Sequence, residues 1–303
     1  MSEHDALFLG VDGGGTSTRA VLVDTSGEVR GRGAASSANQ EVIGRDAAVA
    51  AVHAAVHAAL AEAGAELPVR AAWVGLAGVD SPADAEALRP ALAPLADHLR
   101  VSNDAELLVG ALPGGVGVAL IAGTGSIALG RNAAGETTRA GGWGHIFGDE
   151  GSGYALGVAA LRAAARAADG RGEPTALRLA VLRTLDVAAP YALIARVHQD
   201  CDKAAIARLA SLVVAEAEAD DAVARTILHQ AAADLAEQAH AVMRTLALEA
   251  PVALALGGGL LLEAPAYRAV VLEALGGELT FAPAKLVRDA ALAAARAARS
   301  LVE

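Results

Sequence analysis

Two glycine-rich turns constrain this chain most. "GVDGGGTSTRAVLVD", residues 10–24, places Asp12, Gly13, Gly14, Gly15 and Thr16 between two runs of strand-forming residues. "IAGTGSIALG", residues 121–130, does the same with Gly123, Thr124, Gly125 and Ser126. Glycine loses the most backbone freedom on folding, and a tight hairpin needs no more than two. A longer glycine run implies that something approaches the backbone closely, or that successive N–H groups point into one space.

Around each turn the organisation is the same. "ALFLGV", "RAVLVD" and "EVRGRGAA" read as three strands joined by short turns, with Ser26-Gly27 marking the second. Apolar spacing predicts a helix over 44–65, a buried strand in "VRAAWVGLAG", a second helix over 82–98 and a short strand in "LRVSND". This β-β-β-α-β-α-β order points to an α/β layered domain and not to the β-α-β start of a dinucleotide fold. Near residue 114 the pattern restarts. "GGVGVALIAGTGSIALGRNAAGETTRAGG" again gives three strands, 151–248 is largely helical around the loop "ADGRGEP", and "PVALALGGGLLL" supplies a strand, a glycine turn and a helix start. The duplication implies two similar domains facing each other across a cleft, 1–113 and 114–284. A final helix over 285–303 can pack back on the first domain.

Composition narrows the partners. The chain has 303 residues, 54% hydrophobic, enough for one large domain or two modest ones. Its formal charge of −11 repels phosphate backbones and anionic lipid, so neither nucleic acid nor a membrane surface is an expected partner. Small phosphorylated ligands remain open to it, because local amides and metal ions can hold them. Cys201 is the sole cysteine, which excludes an intrachain disulfide or a multi-cysteine metal site within one chain. "MSEHDALFLG" lacks the basic and apolar regions of a secretory signal. The apolar runs fall short of the ~20 residues of a membrane helix. A cytoplasmic location is the expectation.

Four stretches carry candidate chemistry. The backbone donors of Gly13, Gly14, Gly15 and Thr16 can cradle phosphate oxygens, while Asp12 can hold a water on a bound Mg²⁺; the plainer reading is a glycine-rich hairpin. There is no Gly-Lys-Ser/Thr for a P-loop, and no helix opens directly after a Gly-x-Gly-x-x-Gly. "SNDAE" puts Asp104 at a strand end, the usual place for reactive groups in α/β sheets, though such an Asp more often caps a helix. "GGWGHIFGDEGSGYALG", residues 141–157, surrounds Trp143, His145, Asp149 and Glu150 with glycine, which suits a small polar ligand. Asp149 or Ser152 could equally cap the following helix. His145 has no second His or Cys at metal spacing and reads as structural. Gly257, Gly258 and Gly259 form a strand-to-helix turn open enough to lie against a flat base.

Together these stretches resemble the N-acetylglucosamine kinase branch of the BadF/BadG-type ATPases, in the sugar kinase–actin superfamily. "GVDGGGT", "NDA", "GTGS" and above all "GGWGHIFGDEGS" carry the resemblance, which runs from about Gly10 to the final helix. It implies an α/β fold of two actin-like (ribonuclease H-like) domains, each with a mixed five-stranded sheet, and ATP with Mg²⁺ in the cleft between them. By that similarity Asp12 is the metal-water ligand, and Gly13–Thr16 form the first phosphate loop. Thr124, Gly125 and Ser126 form the second, and Gly257–Gly259 the adenosine turn. Asp104 matches the catalytic base. Asn39 in "SSANQEVIG", Gly142, Trp143 and Asp149 match sugar-contacting positions. Departures occur at Ala140 and Gly153, both expected near the N-acetyl end of the sugar.

The resemblance implies a kinase acting on the 6-hydroxyl of N-acetylglucosamine, with glucosamine and N-acetylmuramic acid as alternative acceptors. Asp149 or Glu150 could supply the carboxylate a cationic glucosamine would want. Dehydratase-activating ATPases of the same fold hold an iron–sulfur cluster with cysteines from each subunit, and one Cys201 cannot provide the usual pair. A sugar-sensing repressor would need an added helix-turn-helix, whereas the first strand starts by residue 7. A pure nucleotide switch has no need of Asp104. Similar proteins are commonly dimers, so a homodimer is also open.

Overall fold

The computed structural model describes residues 6–276 and 280–302. The chain divides into two compact units, residues 1–116 with 287–303, and residues 117–286.

In unit 1 the order is β1 (Phe8–Gly13), β2 (Ser17–Val23), β3 (Val29–Ser36), α1 (Gln40–Ile43), α2 (Arg45–Ala63), β4 (Val69–Leu76), α3 (Pro82–Leu92), β5 (Ala96–Asn103) and α4 (Glu106–Val109). The sheet runs β3-β2-β1-β4-β5, antiparallel through the first three strands and parallel from β1 to β4 to β5. The helix expected over 82–98 stops at Leu92, with one 3₁₀ turn over Ala93–Leu95. Pro94 lacks the N–H that a continuing helix needs, and Ala96 is taken up by parallel pairing with Val69.

Unit 2 opens with β6 (Gly117–Ala122), β7 (Ser126–Arg131) and β8 (Thr137–Gly141). A helical stretch follows: α5 (Gly153–Ala168), α6 (Leu177–Thr184), α7 (Ala192–Asp200), α8 (Lys203–Arg208), α9 (Ala210–Glu218) and α10 (Ala222–Thr245). The unit closes with β9 (Leu254–Gly257), α11 (Gly259–Glu263), α12 (Pro265–Ala274) and β10 (Lys285–Leu286). Its sheet runs β10-β9-β6-β7-β8, with β6–β7–β8 antiparallel and β6–β9–β10 parallel. Strand for strand this is the topology of unit 1.

The helix expected over 285–303 is shorter. Lys285–Leu286 pair with β9, and α13 spans Ala290–Ala297 before a 3₁₀ turn over Ala298–Leu301; Glu303 lies outside the described residues. Asp289 sets the start by accepting the Leu292 N–H at 2.9 Å. Within unit 1, α13 packs Ala291, Ala294 and Ala295 against Phe8 and Val21 on one face of the sheet. α2 packs Ala51, Ala55 and Ala59 with Leu22 on the other. These helices approach closely because the sheet beneath them is glycine. A Cβ on Gly10 would lie 2.0 Å from the Ala291 carbonyl oxygen, and one on Gly33 1.9 Å from that of Ala55.

Candidate active site

Unit 1 gathers its polar groups at the C-terminal ends of β1, β4 and β5. Gly13 pairs with Leu76 and Leu76 with Asn103, so Asp12 and Asp104 stand at one sheet edge, two strand spacings (roughly 10 Å) apart. Burial raises Asp104 from 3.8 to about 6, and the charge of Asp12 adds to the shift. Burial likewise raises Asp12 to about 6, with Arg19 opposing and Asp289 adding. The chain on both sides of Asp104 is fixed. Ser102 Oγ accepts from Trp73 Nε1 at 2.9 Å, and Asn103 Oδ1 accepts from the Ala105 N–H at 3.0 Å while its Nδ2 donates to the Val79 carbonyl at 3.1 Å. Arg100 bonds Glu106 at 2.7 Å. The capping role open to Asp104 is not the one it plays: the N-cap of α4 is Ala105, and no side chain caps the helix.

The β1–β2 turn divides its glycines by task. Gly13 is buried, and a Cβ there would lie 2.3 Å from Leu76. The Gly14 N–H is spent on the Ser17 carbonyl at 3.0 Å. Gly15 and Thr16 are exposed, and no atom comes within 4 Å of a Cβ position on Gly15. The amides free for an anion therefore lie at the turn's tip. Asn39 caps α1, its Oδ1 accepting the Glu41 N–H at 3.0 Å, and leaves its NH₂ group for a ligand.

Unit 2 holds a cavity of about 660 Å³ between the ends of β6 and β9 and the helices α8 and α9. Gly123, Thr124 and Gly259 form one end, and Ala207, Arg208 and Ser211 line the helical wall. Gly258 adopts φ 82°, with any Cβ 2.4 Å from the Ala122 carbonyl oxygen, while Gly257 belongs to β9 and pairs with Ile121. Of the three glycines it is Gly259 that faces the cavity. Gly153, expected near the sugar, belongs here too, its N–H donating to the Gly123 carbonyl at 2.8 Å.

Beside this cavity lies the second turn. Ser126 is buried and its hydroxyl donates to the Glu150 carbonyl at 2.7 Å. Asp149, at φ 59°, accepts the Ser126 N–H at 3.2 Å and the Lys203 ammonium at 2.8 Å. Ser152 caps α5. Gly142 at φ 71° leads into an exposed segment where Trp143 (60% exposed), Ile146 (85%) and Phe147 (72%) are apolar. Arg139 lies 5.8 Å from the Trp143 ring centre. His145 is exposed and edge-on to Tyr154 at 5.0 Å.

The sequence reading missed the helical wall and Lys203. Alanine-rich helices such as α8 and α9 carry no motif; only their periodicity, behind the Asp202 cap, is visible.

Two sheets of the same strand order, each opened by a glycine-threonine turn, define a duplicated actin-like α/β architecture. The BadF/BadG/BcrA/BcrD ATPase family profile matches residues 9–286, and the chain belongs to that family. It is 31% identical over 241 residues to the N-acetyl-D-glucosamine kinase of Dictyostelium discoideum, covering 75% of this chain and 76% of that protein. It is 39% identical over 169 residues to an N-acetylmuramic acid/N-acetylglucosamine kinase of Clostridium acetobutylicum, a match that spans 54% of each chain. A candidate N-acetylglucosamine kinase of Chromobacterium violaceum superposes with a TM-score of 0.74 at 31% identity, over 98% of this chain and 99% of that one. No helix among the described residues is long and apolar enough to cross a membrane.

Proposed function

We propose that the chain is an amino-sugar kinase that transfers the γ-phosphate of ATP to the 6-hydroxyl of N-acetylglucosamine. The observation that carries this reading is Asp104. It is a strand-end carboxylate raised to about 6 by burial, rigidly flanked and not spent on a helix cap. An alcohol is a poor nucleophile at neutral pH, and a positioned carboxylate that accepts its proton contributes ~10²–10⁴-fold. Phosphoryl transfer asks otherwise for positioning and charge stabilisation. The tip amides of Gly15 and Thr16, with Thr124 and Gly125 of the second turn, supply donors for phosphate; the donors of Ser126 are spent on Asp149 and Glu150, and the cavity beside Gly123 and Gly259 accepts the nucleoside. Asn39, Gly142 and Trp143 are the sugar contacts, the exposed indole offering a face for a pyranose ring.

Mg²⁺ fits the donor set. Asp12 is a hard oxygen donor at the same sheet edge, and Mg²⁺ binds through one or two carboxylates, its own waters and substrate phosphates. Asp12 would hold it through a water. When bound, the ion neutralises charge on the transferring phosphates.

N-acetylglucosamine is favoured over glucosamine because the buried Asp149 is already paired with Lys203, which removes the carboxylate best placed to attract an amine. A coupled ADP-release assay with N-acetylglucosamine, glucosamine, N-acetylmuramic acid and glucose tests this. The highest kcat/KM should belong to N-acetylglucosamine. A higher value for glucosamine overturns the acceptor assignment, and no sugar-dependent ADP release overturns the kinase reading.

A further inference from the structure

Asp149 is the one buried charged residue among those described, with 4% of its surface exposed. Its Oδ1 lies under the Thr124–Ser126 turn, accepting the Ser126 N–H. A Cβ on Gly125 would sit 2.7 Å from the same oxygen. Any polyphosphate held by this turn therefore has a fixed carboxylate beneath it, and such a charge would repel the ligand if nothing cancelled it. Lys203 is what cancels it, at 2.8 Å from Oδ2. Lys203 is also the first residue of α8, whose Ala204, Ala207 and Arg208 wall the cavity. Lys203 and Lys285 are the only lysines among 24 basic residues, so a compact ammonium stands here in a chain that otherwise uses arginine.

We propose that Lys203 is a positioning residue for the nucleotide: it neutralises Asp149 beneath the phosphate turn and ties that turn to the wall of the nucleoside cavity. The inference rests on the nucleotide-binding reading above and adds to it a residue that never touches the reacting atoms. Its signature is charge dependence. Loss of Lys203 strands a buried carboxylate, so the penalty grows with the number of ligand phosphates. A lysine that merely braced the cavity wall would weaken adenosine and ATP alike.

Calorimetry with adenosine, ADP and ATP on the full chain separates these cases. In Lys203→Met, ATP affinity should fall by about tenfold or more, ADP by less, and adenosine by under about twofold. Lys203→Arg keeps the charge and should hold ATP affinity within about threefold. Adding Asp149→Asn to Lys203→Met removes the stranded charge and should restore ATP binding. If Lys203→Met does not fold, Lys203→Gln, which retains a hydrogen-bond donor, carries the same comparison. Equal losses for adenosine and ATP, or unchanged ATP affinity in the neutral variants, would overturn the proposal while leaving the kinase reading intact. No ATP binding by the unmodified chain would overturn both.

Discussion

The β1–β2 turn and the β6–β7 turn occupy the same place in two sheets of one topology, yet they handle carboxylates in opposite ways. In unit 1, burial raises Asp12 and Asp104 to about 6, outweighing the charge of Arg19 at the first and backbone N–H bonds at the second. In unit 2, Asp149 is more deeply enclosed, yet it accepts a backbone N–H and a lysine ammonium. A carboxylate whose partners do not offset its burial costs stability and can take a proton or a metal ion. A compensated one holds a loop in place. One scaffold occurs twice, and the partners of its acids differ between the copies.

The largest effect that can break this comparison is expected at Asp104. Asp104→Asn keeps size and removes the proton acceptor, so kcat should fall by about 100-fold or more with ATP affinity nearly unchanged. Steady-state kinetics beside calorimetry checks this. A variant that retains most of its kcat would move the chemistry away from unit 1.

A second test sets one turn against the other. Gly125→Ala drives a methyl to 2.7 Å from Asp149 Oδ1, so the buried carboxylate or the turn must shift. Gly15→Ala meets no atom within 4 Å. ATP affinity should fall by about tenfold in the first variant and by less than about threefold in the second, in keeping with the cost of overpacking a fixed site. Equal losses would mean that both turns meet the phosphates in the same way.

The residues differ in how far they announce themselves. Both turns were legible because glycine beside threonine interrupts strand-forming runs, and Asp104 because "LRVSND" ends in polar residues. The extension of helix 82–98 was misread because "ALAPLADHL" keeps an apolar spacing that a helix could use. Pairing of Ala96 with Val69, remote in sequence, decides for strand. Lys203 meets Asp149 across 54 residues, a contact no local pattern encodes. The cavity wall is spelled in alanine, which reads as helix and nothing more. The neighbours of Gly153 in sequence suggest a place near the sugar, and its N–H bond to Gly123 sets it at the cavity of unit 2.

The smallest effects concern stability, and here the two carboxylates should respond with opposite sign. Asp104 has a folded-state pKa near 6 against 3.8 in the unfolded chain. The folded state thus binds more protons between those values, and the stability present below pH 3.8 is lost as pH rises through 6. Asp104→Asn has no such charge to bury. Its melting temperature should match that of the parent near pH 4 and exceed it by about 2 °C at pH 7.5. Asp149→Asn should go the other way at pH 7.5, because it removes the acceptor of Lys203 and loosens the tie to the Ser126 N–H. Thermal unfolding of the parent and the two variants at both pH values reads the difference directly. A lower melting temperature for Asp104→Asn at pH 7.5 would mean that its carboxylate is compensated after all, and the contrast between the halves would dissolve.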